Sequence, residues 1–245
     1  FIKGKSVISS MPPPLIFGIP ARLTHLIVEL LYFILILGFC LATYFKTKEI
    51  EELTNHQGIS LFRKIFLFFS FAFLVRMIHM GFILYLGKSQ LRAIPGLQRL
   101  VLLVVSIFST IALLYLLATM LIKHLKKFKL TQEKIFVFFV VASIVLMIPT
   151  IYFRTQTVLI AAQLALILAA GVHIMTSKHK AENKRKSSFF SPKLLYLLIS
   201  VFWILNLLVS QRIIIHFESK ILIYLASISI FAIIYHRVHQ RLEGK

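Results

Sequence analysis

Aspartate occurs nowhere in these 245 residues, and the eight acids are all glutamates: Glu29, Glu49, Glu51, Glu52, Glu133, Glu182, Glu218 and Glu243. Chemistry that needs an Asp, or a pair of carboxylates facing one another inside a membrane, is thereby nearly excluded. A single cysteine, Cys40, rules out an intrachain disulfide and leaves the redox compartment unread. Acidic charge is scarce beside 28 Lys and Arg, for a formal net charge of +20. Long polar segments are scarce as well. Hydrophobic residues make up 59% of the chain and its mean hydropathy is +0.89, more than a water-facing globular surface tolerates. The solvent for this fold is lipid.

What the chain does contain is a series of apolar runs at 24–45, 64–86, 99–122, 135–153, 157–176, 194–210 and 219–236. A helix rises 1.5 Å per residue, so about 20 residues cross a hydrocarbon core of about 30 Å. The pattern predicts an all-α, polytopic membrane protein, a seven-transmembrane-helix bundle occupying 24–236. Residues 1–23 hold Pro12, Pro13, Pro14 and Pro20, which forbid a continuous helix there and predict an extended external arm. The chain begins at Phe1 rather than Met, and its natural start is expected upstream. Residues 237–245 are expected to form a short basic cytoplasmic tail, in which Arg237, His239 and Arg241 prolong the last span along the membrane surface.

Basic charge then orients the bundle. If every run crosses, eighteen Lys and Arg fall in the first, third and fifth connections and the tail, against nine on the other side. Positive charge stays on the cytoplasmic side, where anionic lipid holds it. The N-terminus is therefore expected outside and the C-terminus inside, in the plasma membrane. The same distribution explains the high net charge without nucleic acid as a partner. The partners implied are a bilayer with an anionic inner leaflet and proteins docking on cytoplasmic loops 1, 3 and 5.

Local signals refine the connections. Lys46, Lys48, Glu49 and Glu52 stand at spacings that allow pairing on one helix face, so the first helix is expected to run past its span. Gly58 is placed to end that helix and Ser60 to cap the next. Gly38 with Ala42, Ser106 with Thr110, and the repeat Ala161, Ala165, Ala169 read as close-approach faces for helix packing. Pro149 predicts a bend in the fourth span.

Ionisable residues inside the spans are few, and three fall at one depth. Arg76 is about 20 Å into the second span from the cytoplasmic side, and His79 lies one turn beyond on the same face. Glu29, on the antiparallel first span, is about 24 Å from that surface. An Arg alone in hydrocarbon costs at least about 2.5–3.5 kcal/mol, so a partner or a cavity is expected. Glu29, Arg76 and His79 read either as an ion pair locking two spans or as an outward-facing ligand site. A metal site built from His25, Glu29 and His79 is the weaker alternative, because Arg76 opposes a cation. Gln163 on the fifth span and Trp203 and Asn206 on the sixth form a second polar zone, with Gln163 placed to meet Asn206.

Function classes narrow by elimination. No nucleophile–base pair or cluster of metal ligands is present, so no catalytic residue is assigned and the chain is not expected to be an enzyme. Retinal is not expected as a cofactor, because no lysine lies inside the last span, and no other cofactor is implied. Transporters built from repeats place breaks in both halves, whereas only Pro149 lies within a span here. The stretch Lys46-Thr47-Lys48-Glu49 through Thr54, His56, Gly58, Ile59, Phe62 and Arg63, with Phe66-Leu67-Phe68-Phe69, Ala72, Phe73 and Arg76, resembles uncharacterised multi-span membrane proteins of archaea. That resemblance covers residues 46–76 and implies no activity. Two readings follow: a non-enzymatic seven-helix sensor, receptor-like protein or scaffold subunit acting through partner proteins, or a small-solute or ion permease or channel.

Overall fold

The computed structural model describes residues 15–16, 19–54, 57–92, 96–122, 131–153, 157–176, 192–210 and 217–243. Two residue pairs, Leu15–Ile16 and Ile19–Pro20, form a minimal antiparallel ladder against the start of the first helix. Otherwise the described residues fold into seven helices: α1 (Ala21–Thr54), α2 (Gln57–Arg92), α3 (Leu97–Met120), α4 (Gln132–Phe153), α5 (Thr157–Thr176), α6 (Pro192–Ser210) and α7 (Phe217–Glu243). Six of them, all but α6, are long and apolar enough to cross a membrane. The chain is an integral membrane protein with an all-α fold. The expected arm at 1–23 and the fifth connection at 177–191 lie mainly or wholly outside the described residues.

Glycine has one indispensable backbone role. Gly96 enters α3 with φ +87°, a left-handed conformation that a side chain would strain, while its carbonyl accepts the first α3 bond from the Leu100 amide at 2.8 Å.

Neighbouring helices pack in a ring: α1 against α2 and α7, α2 against α3, α3 against α5, α5 against α6, and α6 against α7. Helix α4 stands outside, against α3 and α5. Inside, fully buried aromatics carry the packing, among them Phe66, Phe69, Phe73, Phe202, Trp203 and Phe231. Phe69 stacks on Trp203 at 4.8 Å, and Phe202 meets Phe231 edge-on at 4.9 Å. Offset and edge-to-face aromatic pairs contribute about 0.5–1.5 kcal/mol each beyond buried area in water. Between helices in lipid, where area burial drives little, that geometric term matters more.

Ring contacts also fix helix direction. Along α1 and α7 the aromatic pairs are His25–Phe217, Tyr32–Tyr224 and Phe39–Phe231, each pair seven residues beyond the last. A constant offset at a seven-residue period is the seam of two parallel, gently supercoiled helices. Helices α1 and α2 run antiparallel, with Arg63 over the Tyr44 ring near one end and Phe33 against Phe73 further along. Helix α6 runs parallel to α2, from Phe62–Tyr196 to Phe69–Trp203.

Several local expectations change. Helix α1 does run on through Thr54, and Lys46–Glu49 at 3.0 Å and Lys48–Glu52 at 3.6 Å are among its ion pairs. Gly58 does not end it, however. Both Gly58 and Ser60 lie within α2, which begins at Gln57, and the Ser60 hydroxyl is spent on Gln132 of α4 at 2.9 Å rather than on a cap. Of the small-residue faces, the one bearing Ser106 and Thr110 does meet a neighbour, Thr110 being buried and bonded to Gln163 of α5, whereas the other two do not. Ala161, Ala165 and Ala169 are all exposed, because α5 turns Leu159, Gln163, Ile167 and Ala170 inward. Gly38 is likewise exposed, with nothing within 4 Å of where a Cβ would stand. The last helix runs unbroken to Glu243; Arg237 and Val238 are buried, and His239 stacks beside Tyr235.

Candidate functional site

Helical periodicity turns Tyr32, Phe33, Ile36 and Cys40 of α1 into the bundle, and Tyr32 becomes the centre of a polar group. Its hydroxyl donates to Asn206 Oδ1 of α6 at 2.8 Å, and Asn206 Nδ2 donates to the Phe202 carbonyl one turn back at 2.9 Å. The face of the Tyr32 ring stacks on Tyr224 of α7 at 4.2 Å. The Ser227 hydroxyl lies near that of Tyr32 without the geometry of a bond. Tyr224, Ser227 and Trp203 are all buried, and the Tyr224 hydroxyl, the Ser227 hydroxyl and the Trp203 indole N–H have no hydrogen-bond partner among the described residues. Native interiors rarely leave such groups unspent, since each costs about 1–3 kcal/mol.

A cation stands beside this group. Arg76 of α2 is partly buried, with its guanidinium 5.8 Å from the Phe33 ring centroid and within electrostatic reach of Glu29, Tyr32 and Tyr224. Among the described residues no carboxylate lies within 4 Å of it; the direct ion pairs are on the α1–α2 connection, where Arg63 meets Glu51 at 2.9 Å. A guanidinium over a ring is stabilised by the quadrupole while keeping its five donors available. Glu29 sits one turn before Tyr32 on α1 and is partly buried. His79 is partly buried one turn after Arg76.

The other sequence candidates go elsewhere. His25 lies flat on Phe217, ring centroids 3.9 Å apart, in the α1–α7 seam and near Lys220. His25, Glu29 and His79 do not form a metal site, and among the described residues no three His, Cys or Glu side chains converge on one point. Gln163 does not meet Asn206. Its Nε2 donates to Ser109 and Thr110 of α3, both at 3.1 Å, because α5 packs on α3 at that depth while Asn206 faces α1. Among the described residues no hydrogen bond joins the two amides. Trp203 shares the α6 stripe with Asn206 but lies against Phe69 and Phe73 of α2.

The residues that residue-by-residue reading missed are Tyr32, Tyr224 and Ser227. A signal for the tyrosines was present: aromatic rings at a seven-residue period in the first and last helices, His25/Tyr32/Phe39 and Phe217/Tyr224/Phe231. Ser227 carries no such mark.

Over 241 residues the chain is 26% identical to an uncharacterized protein of Archaeoglobus fulgidus, covering 95% of this chain and 100% of that one. The archaeal likeness thus extends far beyond residues 46–76. No family model and no solved structure matches the chain.

Proposed function

We propose that the chain is a non-enzymatic, seven-crossing protein of the plasma membrane that acts as a sensor or receptor-like subunit, or as a scaffold, through partner proteins at its basic edge. Support for the seventh crossing comes from helix direction. Because α1 and α7 are parallel, α7 starts at the end where α1 starts; α6 must then carry the chain back across after α5. At 19 residues α6 is about 28 Å long, close to the hydrocarbon thickness. The excess of lysine and arginine on the even-numbered connections' opposite side favours an outside N-terminus.

The observation that carries the functional reading is the polar group around Tyr32. It combines buried, unspent hydrogen-bonding groups with the Arg76 cation, and it lies toward the end where α1 and α7 begin. A polar site set in an aromatic interior is suited to holding a small polar ligand and poorly suited to conducting one. Beyond it the interior is carried by Phe66, Phe69, Phe73, Phe202 and Phe231, and the buried hydroxyls of Thr43, Thr47, Ser70 and Ser200 are each bonded to a carbonyl of their own helix. Neither a cofactor nor a catalytic residue enters this reading.

Flux measurement separates it from a permease. In proteoliposomes holding the full chain, K⁺, Na⁺ and H⁺ gradients are expected to decay no faster than in protein-free vesicles. Protein-dependent decay of any of these gradients would overturn the sensor reading in favour of a channel or permease.

A further inference from the structure

At the opposite end of the molecule, α2 and α4 meet around a cation with no ion pair of its own among the described residues. Gln132, the first residue of α4, accepts through Oε1 from Ser60 at 2.9 Å and from Lys64 Nζ at 3.1 Å. The Lys64 ammonium also lies 5.6 Å from the Tyr115 ring centroid. Its neighbour Arg63 is neutralised, with Glu51 at 2.9 Å and the Tyr44 ring below it. Lys64 makes direct contact with an amide oxygen and a ring face, and feels Glu51, already bonded to Arg63, at longer range. Among the described residues no carboxylate comes within 4 Å of it, and Glu133 on the same turn of α4 is exposed. Among the described residues its three ammonium protons serve one hydrogen bond.

Depth gives this cation a meaning. Helix α4 is 22 residues, about 33 Å, nearly the thickness of the hydrocarbon core, so its first turn marks the bilayer surface. Helices α1 and α2, at 34 and 36 residues, overshoot that thickness, and the Lys–Glu pairs of α1 lie in its overshoot. Lys64 is therefore at headgroup level. Toward the bilayer interior from it, the surface where α2, α3 and α4 adjoin is aromatic and open: Phe68 stacks on Phe136 of α4 at 6.1 Å, Phe71 meets Phe108 of α3 at 5.4 Å, and Phe71 and Phe136 are both about 40% exposed.

We propose that the seam between α2 and the start of α4 is a binding site for an anionic phospholipid, Lys64 taking the phosphate of the headgroup and Phe71 and Phe136 receiving the chains. Charge complementarity selects this occupant. A zwitterionic lipid brings its own cation and gains little from a fixed ammonium, whereas a headgroup with net negative charge completes it. Gln132 and Ser60 hold the lysine in place, and a lysine so held loses less rotamer freedom on binding than a free surface lysine.

Native mass spectrometry of the delipidated full chain tests the site, with phosphatidylglycerol and phosphatidylcholine of identical chains offered together. The unsubstituted protein is expected to retain phosphatidylglycerol at least fivefold over phosphatidylcholine. Lys64→Gln should bring that ratio near unity, and Lys64→Arg should preserve it. Equal retention by the unsubstituted protein, or an unchanged ratio in Lys64→Gln, overturns the proposal. Should Lys64→Gln fail to fold, Gln132→Leu serves instead, since it leaves the charge but releases it; a fall of at least twofold is expected, and no fall counts against the site. Inorganic phosphate at millimolar concentration should displace little phosphatidylglycerol. Full displacement would mean a free-anion site in place of a lipid site.

Discussion

Gln163 and Asn206 are both buried carboxamides within two turns of the end of a helix in a membrane bundle, and they are wired in different ways. Gln163 gives both donors of its amide to hydroxyls of one neighbour, α3, and Ser109 is further anchored to the Val105 carbonyl at 2.8 Å. The Gln163 Nε2 and the Ser109 and Thr110 hydroxyls all have partners. Asn206 spends its donor on its own helix and its oxygen on Tyr32, and near that bond the Tyr224 and Ser227 hydroxyls and the Trp203 N–H have no partner among the described residues. The contrast separates glue from a poised site. Interhelical hydrogen bonds that are all satisfied fix helices in register. A group with surplus donors beside a cation is stable only because the surrounding packing holds it, and it has capacity left for a ligand.

Breaking the second knot should cost more. Asn206→Leu strands the Tyr32 hydroxyl in a place that already holds unspent groups, and a loss of about 1–3 kcal/mol is expected from reversible unfolding in mixed micelles. Gln163→Leu should cost about 0.6–1.7 kcal/mol by the same method, because Ser109 keeps its backbone acceptor. A larger loss at Gln163 than at Asn206 would remove the distinction between the two regions. Arg76→Leu sharpens it further. A tight buried ion pair broken on one side costs about 3–5 kcal/mol, whereas Arg76 has no carboxylate within 4 Å among the described residues, so a change below about 1 kcal/mol is expected. The smallest effect belongs to the outer face of α5. Ala165→Leu should leave stability within about 0.5 kcal/mol and leave oligomeric size on a sizing column unchanged, since that alanine faces outward.

Helices were easy to read in this sequence because hydropathy is a one-dimensional quantity, and lipid makes nearly every residue of a span apolar. For the same reason faces were hard to read. Ala161, Ala165 and Ala169 spell a packing stripe by spacing, yet α5 buries the face bearing Gln163 instead, because a satisfied amide commits a helix more strongly than small residues do. Depth was legible for Arg76 and Glu29, which do lie within electrostatic reach of one another. The partners of Gln163 and Asn206 were not, because each depends on which helix is adjacent, a fact of ring order that spacing along the chain does not encode. Boundaries failed at Gly58 for a related reason. A glycine near a helix start is cheap when the neighbouring turn is tied down, as Ser60 is to Gln132.

Everything proposed about sidedness depends on α6 crossing the membrane, and cysteine accessibility on its two flanks tests that most directly. In a Cys40→Ala background, Ser187→Cys and Gln211→Cys are introduced one at a time and treated with a membrane-impermeant maleimide in intact cells and in inverted vesicles. The account predicts labelling of Gln211→Cys from outside and of Ser187→Cys from the cytoplasmic side. Labelling of both from the same side would contradict it.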